Sequence, residues 1–454
     1  MISLSIKEII TATGGELISG RDSVKITGVS IDSRRLGKSN LFVALKGSRH
    51  DGHHFVVKAL SQCSSAMVEK NMRTKSAKNI ILVKNSLDAL GKTAALWRSK
   101  INPRVIAVSG SNGKTSVKDM LAHILKQRFR TNAAEKSFNN FLGLPLTVLN
   151  TPRMTDIMIA EMETNVIGGI RRLCEIARPD CGIITNISDS HLSDLKTREN
   201  VFREKAELAE YLSPDGTLIL NNDDPFAAKF KKIFRGNLIT YSLKKNSDYR
   251  ARVIKTDLGG GSEFILCGKR FKTSLPGEFN ALNIAAAAAA ARLLAVPWKT
   301  IIKRVETFNA AQGRMNVKKI KGRILVNDTF NANPGSAGAL AEVLKNEKGS
   351  KAIVFADMLE LGKDARRLHT DTGAAFAKAG VESVHYTGQF GGAFIKGLKK
   401  INPAVKYAIH SDRKKLMASA ASEKADIIAF KASRAMKIDE IFDHVVKHIS
   451  SRNR

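Results

Sequence analysis

One segment, residues 104–116, constrains the fold more than any other part of this sequence. A largely apolar run, Arg104–Ser109, enters the loop Gly110–Ser116, which reads GSNGKTS, and a helical window follows at 116–127. Apolar runs of this kind suit a parallel strand that is buried on both faces. Because the strand passes through a glycine-rich turn straight into a helix, the segment predicts a βα unit of a doubly wound sheet.

The same loop predicts a phosphate-binding site. Its two glycines would let the backbone N–H groups converge on phosphate oxygens, and the following helix would add the positive charge of its N-terminus. Lys114 would reach the β- and γ-phosphates of a nucleotide, and the Thr115 hydroxyl would ligate Mg²⁺. The motif is the short GxxGKT form, since Val108 stands where the longer pattern has glycine, and a tight turn with a chance lysine is the alternative interpretation. The predicted nucleotide-binding residues of this loop are Gly110, Ser111, Asn112, Gly113, Lys114, Thr115 and Ser116.

Two further side chains follow apolar runs that would neighbour the loop in such a sheet. Glu161 ends the run 156–160, and His191 lies a few residues past the run 182–187. The carboxyl ends of parallel strands meet at one edge of a sheet, where a magnesium nucleotide would find its carboxylate and imidazole ligands. Each residue also has a plainer interpretation, which is a surface charge for Glu161 and a hydrogen-bonded loop residue for His191.

The length of 454 residues predicts about three domains, and we place their boundaries near residues 83 and 310. Apolar runs and helical windows alternate throughout, which is typical of α/β units. An alanine run at 285–291 belongs in a tightly packed helix, because alanine is the best helix former. The remaining predicted strands are 41–45, 66–69, 217–220, 323–326, 351–355 and 426–430, and the remaining helices are 281–294 and 336–345. We expect a small N-terminal α/β domain followed by two doubly wound sheets.

The charge of the chain is strongly basic, with 74 Lys and Arg against 42 Asp and Glu and a formal net charge of +32. Such an excess is typical of proteins with polyanionic partners, such as nucleic acid, an anionic membrane or phosphorylated small molecules. The excess is spread over residues 1–83, 84–310 and 311–454 at +7, +13 and +12, so no basic arm identifies a partner. Aromatic residues are only 6%, which leaves few stacking platforms for single strands. We therefore expect a solvated basic surface and no specific nucleic-acid site.

The cysteines and the N-terminal sequence indicate the compartment. Cys63, Cys174, Cys181 and Cys267 form no CxxC pair and no zinc pattern, so we interpret them as buried thiols in a reducing environment. The first residues lack the basic start and apolar run of a signal peptide, and no stretch of about 18 apolar residues occurs. The sequence predicts a cytoplasmic protein without a membrane span.

Several motifs, in chain order, resemble those of the Mur ligase family, whose members form amide bonds with ATP in peptidoglycan synthesis. The segment GSNGKTS at 110–116 resembles the ATP loop of the family, and NNFLGLPLT at 139–147 resembles its NNxxGxPxT segment. Two further resemblances follow in the same order as in the family. They are the stretch ITNI at 184–187 with His191-Leu192, and Gly313-Arg314 at the opening of the third domain. The resemblance implies that Lys205 is a carbamylated lysine that helps to hold a second Mg²⁺. It also implies that Asn280 and Asn283 lie on the adenine side of the nucleotide site and that Arg314 and Asp328 help to bind the nucleotide. The implied metal ligands are Thr115, Glu161, His191 and Lys205.

Motifs in the first and last thirds resemble the branch of the family that adds D-alanyl-D-alanine to UDP-MurNAc-tripeptide. The last third carries DTFNANPGS at 328–336 and DMLELG at 357–362 with His369 after it. The first third carries Asp32-Ser33-Arg34, LFVALKG at 41–47 and Asp51-Gly52-His53. A family member that adds a single amino acid is the alternative, although the Asp-Asn-Pro-Arg pattern of the diaminopimelate- or lysine-adding relatives is absent from this sequence.

The resemblance implies a function for each of the three predicted domains. Residues 1–83 would bind the UDP-sugar, residues 84–310 would form the central P-loop doubly wound ATPase domain, and residues 311–454 would form a Rossmann-like ligase domain that binds the incoming dipeptide. The implied catalytic residues are Lys114, Glu161, His191, Lys205 and Arg314. The implied substrate-binding residues are Ser33, Arg34, Lys46, Gly47, Asp51, Asn331, Asn333 and Ser336. ATP and Mg²⁺ would be the cofactors, the partners would be small-molecule substrates, and we expect a monomer.

Five positions depart from the family pattern and keep other interpretations open. Glycine is usual in the family at the positions of Glu163, Ala356 and Ala432. Glutamate is usual at the position of Gly169, and histidine is usual at the position of Phe279. These departures leave Lys114 and the other implied catalytic residues in place, but a scaffold that has lost activity is one alternative. A basic nucleic-acid-binding ATPase, suggested by the charge of +32, is an alternative from a different class.

Overall fold

The computed structural model of the chain describes residues 2–47, 50–72, 78–134 and 138–451. The chain forms two compact units. The first unit consists of the chain up to Ser109, Leu125–Ile183 and Glu207–Leu218, and the second of Gly110–Ile124, Ile184–Ala206 and the chain from Ile219 onward. Each of the three larger sheets draws its strands from one predicted segment. Positions 83 and 310 both fall between elements, and the domain boundaries there remain predictions.

The N-terminal segment is a small α/β layer. Strands β2, β7, β6, β5 and β4 form one sheet in that order, parallel except for the pair β2–β7, and β1 pairs with β3. Its first helix begins where Ser5 and Glu8 form a capping box and ends at Gly14 in the left-handed region, which is where glycine is favoured. The strands are β1 Leu4–Ser5, β2 Glu16–Ser19, β3 Lys25–Ile26, β4 Gly28–Ser30, β5 Asn40–Val43, β6 Ser65–Val68 and β7 Asn79–Leu82, and the helices are α1 Ile6–Thr13 and α2 Val56–Gln62.

The central segment is built around a nine-stranded sheet with the order β16-β15-β14-β13-β12-β11-β8-β10-β9. Its strands are β8 Arg104–Ser109, β9 Thr131–Ala133, β10 Ile157–Glu161, β11 Cys181–Ile184, β12 Thr217–Asn221, β13 Asn237–Ser242, β14 Tyr249–Asp257, β15 Gly261–Leu266 and β16 Lys269–Thr273. Its helices are α3 Ser86–Ile101, α4 Lys114–Leu125, α5 Gly143–Leu149, α6 Gly169–Ala177, α7 Leu192–Leu195, α8 Arg198–Tyr211, α9 Ala227–Ile233, α10 Glu278–Leu293 and α11 Trp298–Glu306.

The predicted strand, loop and helix around residue 110 are confirmed. Strand β8 spans the residues expected, all but its first residue are buried, and α4 begins at Lys114 directly after the loop. Strand β10 is parallel to β8, with Glu161 opposite Val108. The apolar run 182–187 forms a shorter strand than expected, because β11 ends at Ile184.

The alanine run lies in helix α10, as predicted. Each alanine from Ala285 to Ala291 is fully buried, and the helix packs against β13, β14 and β15. Small side chains on all faces let the helix approach its neighbours closely, since no bulk separates the backbones.

The C-terminal segment is a Rossmann-like α/β sheet with the order β17-β18-β22-β19-β20-β21. Edge strand β17 is antiparallel to β18, and the other pairs are parallel. The strands are β17 Asn316–Ile320, β18 Arg323–Asp328, β19 Lys351–Ala356, β20 Ser383–Thr387, β21 Lys406–Ile409 and β22 Ile427–Lys431. The helices are α12 Pro334–Lys345, α13 Ala365–Lys378, α14 Gly391–Ile401, α15 Arg413–Ser422 and α16 Ile438–Ser451. The predicted α/β class is confirmed, while the antiparallel extension β14–β16 of the central sheet was not predicted.

Two glycines let helices α13 and α14 cross closely, and this gives a first testable prediction. A Cβ on Gly397 would lie 1.8 Å from the Thr370 carbonyl oxygen, and one on Gly373 would lie 2.0 Å from the Phe394 carbonyl oxygen. Backbone atoms cannot rotate away, so Gly397→Ala should force the helices apart and cost about 1–3 kcal/mol of unfolding free energy in urea denaturation.

Gly392 supplies the control for this prediction on the same helix. No atom lies within 4 Å of a Cβ built there, so Gly392→Ala should be neutral or stabilising by about 0.5–1 kcal/mol. Equal destabilisation by Gly397→Ala and Gly392→Ala would contradict the argument from close packing.

The cysteine interpretation needs one correction. Cys63, Cys174 and Cys181 are buried thiols as expected, but Cys267 is exposed because it lies at the turn between β15 and β16. Within the described ranges, no helix combines the length and apolar character needed to cross a membrane.

Candidate active site

The phosphate loop is held in place by residues that follow strand β11. The Ser111 N–H donates to the Asn186 carbonyl at 2.8 Å, and the Asn112 N–H donates to the Asn186 side-chain oxygen at 3.1 Å. Asn186 in turn donates from its amide to the Asn112 carbonyl at 2.9 Å. These three bonds fix the loop backbone before any ligand arrives, so its shape is pre-organised.

Lys114 lies across the loop that it follows. Its ammonium donates to the carbonyl oxygens of Gly110 at 2.6 Å and Ser111 at 3.1 Å, and only 7% of the residue is exposed. The charge is therefore positioned at the loop by the loop's own backbone, and its contact with phosphate remains a prediction.

Both loop glycines are required by close contacts. Gly110 and Gly113 have φ of 132° and 85°, in the region that favours glycine. A Cβ on Gly110 would lie 2.1 Å from the Thr185 hydroxyl oxygen, and one on Gly113 would lie 2.6 Å from the Asn283 side-chain oxygen. Asn283 thus lies beside the loop.

Asn280 is placed differently from Asn283. It is buried, and its amide donates to the Pro276 carbonyl at 2.7 Å, which closes the first turn of α10. Its role at the adenine remains a prediction.

Arg314 reaches the loop from the start of the C-terminal segment. Its guanidinium donates to the Thr115 hydroxyl at 2.9 Å and stacks on the Phe330 ring at 3.8 Å from the ring centre. The arginine is thereby held over the first turn of α4, where the phosphates of a nucleotide would lie. Phe330 was not among the predicted site residues, although it lies in the DTFNANPGS motif at 328–336.

A second contact joins the same two segments through asparagines. The Asn333 amide donates to the Asn112 side-chain oxygen at 2.8 Å, and Asn112 donates to the Ser188 hydroxyl at 2.9 Å. Asn333 and Ser336 also form the capping box of helix α12. Both residues were predicted to bind substrate, and that role stays a prediction, since their side chains already cap the helix.

Asp328 lies at the carboxyl end of β18, opposite Lys431 at the end of β22. The Lys431 ammonium, which is buried, pairs with the Asp328 carboxylate and donates to the Asn331 carbonyl at 3.1 Å. Asn331 itself is exposed. Sequence reasoning missed Lys431, although a lysine that ends an apolar strand at the edge of the sheet is a signal that could have identified it.

The other two predicted metal ligands in the second unit are His191 and Lys205. His191 contacts the C-terminal segment, and Lys205 is a buried residue of helix α8. The His191 Nδ1 atom is 2.6 Å from a Glu360 carboxylate oxygen, and the Ser193 N–H donates to the Glu360 carbonyl at 2.9 Å. Lys205 is completely buried in helix α8, next to the equally buried Glu204.

Glu161 belongs to the first unit and is buried at the end of β10. It accepts a hydrogen bond from the Asn139 amide at 2.8 Å, and Asn139 accepts one from the Glu163 N–H at 2.8 Å. The unusual Gly169 nearby has a physical reason, because a Cβ there would lie 2.3 Å from the Thr164 hydroxyl oxygen. A glutamate at this position would require that loop to move.

The predicted UDP-sugar residues of the first unit are largely exposed. Arg34 makes two hydrogen bonds of 2.9 Å to the Asp32 carboxylate, and these lower the pKa of Asp32 to about 2. Ser33 is half-buried, while Lys46 and Gly47 are exposed on the loop that turns back to Asp51.

Asp51 serves mainly as a cap. It accepts from the His53 N–H at 3.0 Å and faces the His53 ring at 2.6 Å, and these bonds lower its pKa to about 2. Binding of substrate by Ser33, Arg34, Lys46, Gly47 and Asp51 remains a prediction.

His369 holds the loop that carries Glu360. Its Nδ1 lies 2.7 Å from the Ala365 carbonyl and its Nε2 accepts the Met358 N–H at 2.9 Å, so only the neutral ring satisfies both partners. Burial lowers the pKa of His369 below its ordinary value. The motif therefore has a structural use, which is to fix residues 358–362 beside helix α7.

The protonation of His369 leads to a second prediction. Because its pKa is lower in the folded than in the unfolded chain, its contribution to stability is complete above about pH 6.5 and is lost as the pH falls below that value. His369→Gln keeps an acceptor but does not titrate, so the stability difference between the two proteins should shrink from pH 7.5 to pH 5.5. Parallel curves over that range, in urea denaturation, would contradict this assignment.

The protein donors alone do not form a metal cage. Over the described part of the chain, no three His, Cys, Asp or Glu side chains lie close enough together to hold a metal ion. Mg²⁺ usually keeps several waters and binds through one or two protein groups and substrate phosphates. A site with few protein ligands, such as the Thr115 hydroxyl, therefore fits a metal that arrives with a nucleotide.

Comparison with known proteins identifies the family. Three family models match successive parts of the chain: the Mur ligase family catalytic domain at 25–128, the Mur ligase middle domain at 108–291 and the Mur ligase glutamate ligase domain at 313–434. A UDP-N-acetylmuramoyl-tripeptide--D-alanyl-D-alanine ligase of Bacillus subtilis is 32% identical, over 98% of this chain and 99% of the relative. The chain belongs to the Mur ligase family.

Solved structures of this Mur ligase's relatives have the same three-domain fold. A MurF crystal structure from Acinetobacter baumannii superposes with a TM-score of 0.90 at 27% identity, covering 98% of this chain and 99% of that one. The MurF ligase of Thermotoga maritima, described as a complex with ADP, gives a TM-score of 0.82 at 27% identity, with 93% and 98% covered. The predicted order of a small N-terminal α/β domain, a central P-loop domain and a C-terminal Rossmann-like domain is thus confirmed, and so is the assignment as a ligase.

Proposed function

We propose that this Mur ligase joins D-alanyl-D-alanine to UDP-MurNAc-tripeptide at the expense of ATP, in peptidoglycan precursor synthesis. One observation carries the proposal, which is that the C-terminal segment meets the phosphate loop at two points, Arg314 on Thr115 and Asn333 on Asn112. If the C-terminal segment binds the dipeptide and the loop binds ATP, these contacts would bring the amine close to the phosphates, as an amide ligase needs. The name of the Bacillus subtilis relative and the DTFNANPGS motif at 328–336 support the choice of amine substrate.

The chemistry follows from the poor reactivity of a carboxylate toward an amine. The terminal carboxylate of the tripeptide attacks the γ-phosphorus of ATP, which forms an acyl phosphate and releases ADP. The amine of the dipeptide then attacks the acyl carbon, loses a proton, and displaces inorganic phosphate as the amide bond forms. Catalysis is chiefly positioning and neutralisation of charge on the transferring phosphoryl group.

Residues of the loop and of the C-terminal segment have different proposed roles in this reaction. Lys114, fixed by two backbone carbonyls, offsets charge at the β- and γ-phosphates. Arg314, stacked on Phe330, is positioned to contact the phosphates from the C-terminal side. Gly110 and Gly113 let the loop backbone turn closely past Thr185 and Asn283, so that its N–H groups could face phosphate oxygens. Asp328 and Lys431 hold the loop that carries Asn331, our candidate for the dipeptide pocket.

Bound Mg²⁺ would supply charge that stabilises the phosphoryl group during transfer. The Thr115 hydroxyl is the proposed ligand within the loop, with Glu161, His191 and carbamylated Lys205 as the further ligands implied by the family. The buried position of Lys205 suits carbamylation, because this modification replaces an ammonium that is costly to bury. We also infer that the protein is a cytoplasmic monomer. The three buried cysteines support this compartment, because they are thiols and not disulfides.

A direct assay tests the proposal. Purified protein, Mg-ATP, UDP-MurNAc-tripeptide and D-alanyl-D-alanine should yield ADP, phosphate and a UDP-MurNAc-pentapeptide in equal amounts, measured by coupled phosphate release and mass spectrometry. The matched reaction replaces the dipeptide with single amino acids and the tripeptide with shorter acceptors. Product only in the matched reaction would reassign the chain to another branch of the family, and no product in either would indicate a scaffold without activity.

A further inference from the structure

Glu360 and His191 face each other with both backbones in the left-handed region. Glu360 has a φ of 64° and His191 has a φ of 53°. Residues with a Cβ rarely adopt this conformation, because the Cβ crowds the following carbonyl oxygen, and they keep it only where surrounding contacts impose it. Two such residues that meet at a candidate site indicate that the contact between them has a function.

The loop that leads to Glu360 is fixed by hydrogen bonds of its backbone. The Met358 N–H donates to the His369 ring at 2.9 Å, and the Leu359 N–H donates to the Ser433 hydroxyl at 2.8 Å. Neither bond involves the Glu360 side chain, so the C-terminal segment itself determines where that side chain begins.

Helix α7 contacts the same loop from the other side. The Ser193 N–H donates to the Glu360 carbonyl at 2.9 Å, and a Cβ on Gly362 would lie only 3.1 Å from the Leu192 carbonyl oxygen. These contacts hold the helix and the loop together and place a Glu360 carboxylate oxygen 2.6 Å from the His191 Nδ1 atom.

A separation of 2.6 Å between these two atoms determines where the ring of His191 carries its proton. A carboxylate oxygen beside an unprotonated nitrogen would bring two lone pairs into contact, so Nδ1 carries the proton. In the neutral ring the lone pair is then on Nε2, and a metal ion binds a histidine through such a lone pair.

Stability alone does not account for the contact. The Glu360 side chain is 55% exposed and the His191 side chain is 21% exposed, and an ion pair that is so open to water contributes little to folding. The left-handed backbone of both residues costs free energy in addition. A carboxylate that orients a metal-binding histidine is, by contrast, a recurrent arrangement in metal sites.

We propose that Glu360 is a positioning residue, which holds the His191 proton on Nδ1 and so leaves Nε2 to bind the Mg²⁺ of the nucleotide. This inference rests on the proposed function, in which His191 is a metal ligand. It makes the metal site depend on residues 357–362 of the C-terminal segment as well as on the phosphate loop.

The ring tautomer can be measured in the full chain without any ligand. Ring ¹⁵N chemical shifts of His191 at about pH 8.5, assigned with His191→Gln, should show the proton on Nδ1. E360G removes the carboxylate and suits a left-handed backbone, so it should lose this tautomer while the midpoint of urea denaturation is unchanged or raised. E360Q keeps an acceptor oxygen and should retain the tautomer. The control E382A removes an exposed carboxylate elsewhere in the C-terminal segment and should also retain it.

Nucleotide binding measures the effect on the metal. The parent protein should bind AMPPNP, a non-hydrolysable ATP analogue, more tightly with Mg²⁺ than with EDTA in isothermal titration calorimetry. Loss of a group that orients a metal ligand costs about 10–100-fold in metal affinity, so E360G should reduce this tightening by at least about tenfold. E360Q and E382A should keep it.

Three outcomes would overturn the proposal. A proton on Nε2 in the parent protein, or an Nδ1 tautomer that survives in E360G, would exclude the assigned tautomer. Equal tightening by Mg²⁺ in the parent protein and E360G would exclude a role toward the metal. Equal losses in E360Q and E360G would assign the effect to charge and not to the position of the proton.

Failure of the proposed function would give a different result. In that case the Nδ1 tautomer and the Mg²⁺-dependent binding of AMPPNP would both be present and sensitive to E360G, but no UDP-MurNAc-pentapeptide would form. Such a result would reject the assigned substrates and support the role of Glu360.

Discussion

Lys114→Ala should lower the turnover of the ligase by about a thousandfold while the protein remains folded. Removal of a single pre-organised group that stabilises transition-state charge typically costs 10²–10³-fold, and Lys114 carries a full charge to the transferring phosphoryl group. Its two backbone bonds keep the ammonium at the loop in advance, so its charge is already in place when the nucleotide binds. The measurement is ADP formation with saturating UDP-MurNAc-tripeptide and dipeptide.

The control for this prediction is Lys126→Ala. Lys126 is an exposed lysine that follows the same helix α4, so its loss changes the net charge equally without touching the loop. Its turnover should stay within about twofold of the parent, and circular dichroism should show that both variants are folded. Turnover near normal in Lys114→Ala would remove this residue from the phosphate site and, with it, the mechanism proposed above.

The local parts of this site could be predicted from sequence because neighbouring residues determine them. A buried strand, two glycines and a helix start lie within residues 104–116, and the structure reproduces all three. The segment β14–β16 was missed for the opposite reason. Strand Tyr249–Asp257 has only one buried residue, so no alternation of apolar and polar positions marked it.

The contacts between distant parts of the chain could not be predicted. The contact of Arg314 with Thr115 spans 199 positions, and the contact of Asn333 with Asn112 spans 221. Sequence patterns identify a residue's type and its local element, whereas these contacts depend on how separate sheets pack. The motif that ends in His369 shows the same limit, since its sequence indicated a branch of the family and its structure shows a ring that holds a loop.

Lys431→Met should have the largest effect on stability of any change at the candidate site. The Lys431 side chain is 1% exposed and the Asp328 side chain is 15% exposed. Removal of the lysine leaves the Asp328 carboxylate without the cation that compensates its charge. Loss of one partner of a buried ion pair costs about 3–5 kcal/mol, which exceeds the usual effect of a surface substitution by an order of magnitude. The midpoint of urea denaturation, followed by circular dichroism, measures this loss.

A double-mutant cycle separates the ion pair from simple packing. Asp328→Asn alone should also destabilise the protein, because it removes the negative charge that compensates the buried Lys431 ammonium. The double variant D328N/K431M removes both charges, so it should be more stable than the sum of the single losses predicts, by at least about 1 kcal/mol. Strict additivity would mean that the two side chains act independently. In that case the edge formed by β18 and β22 would not owe its stability to the pair, and Lys431 would be only a packed side chain.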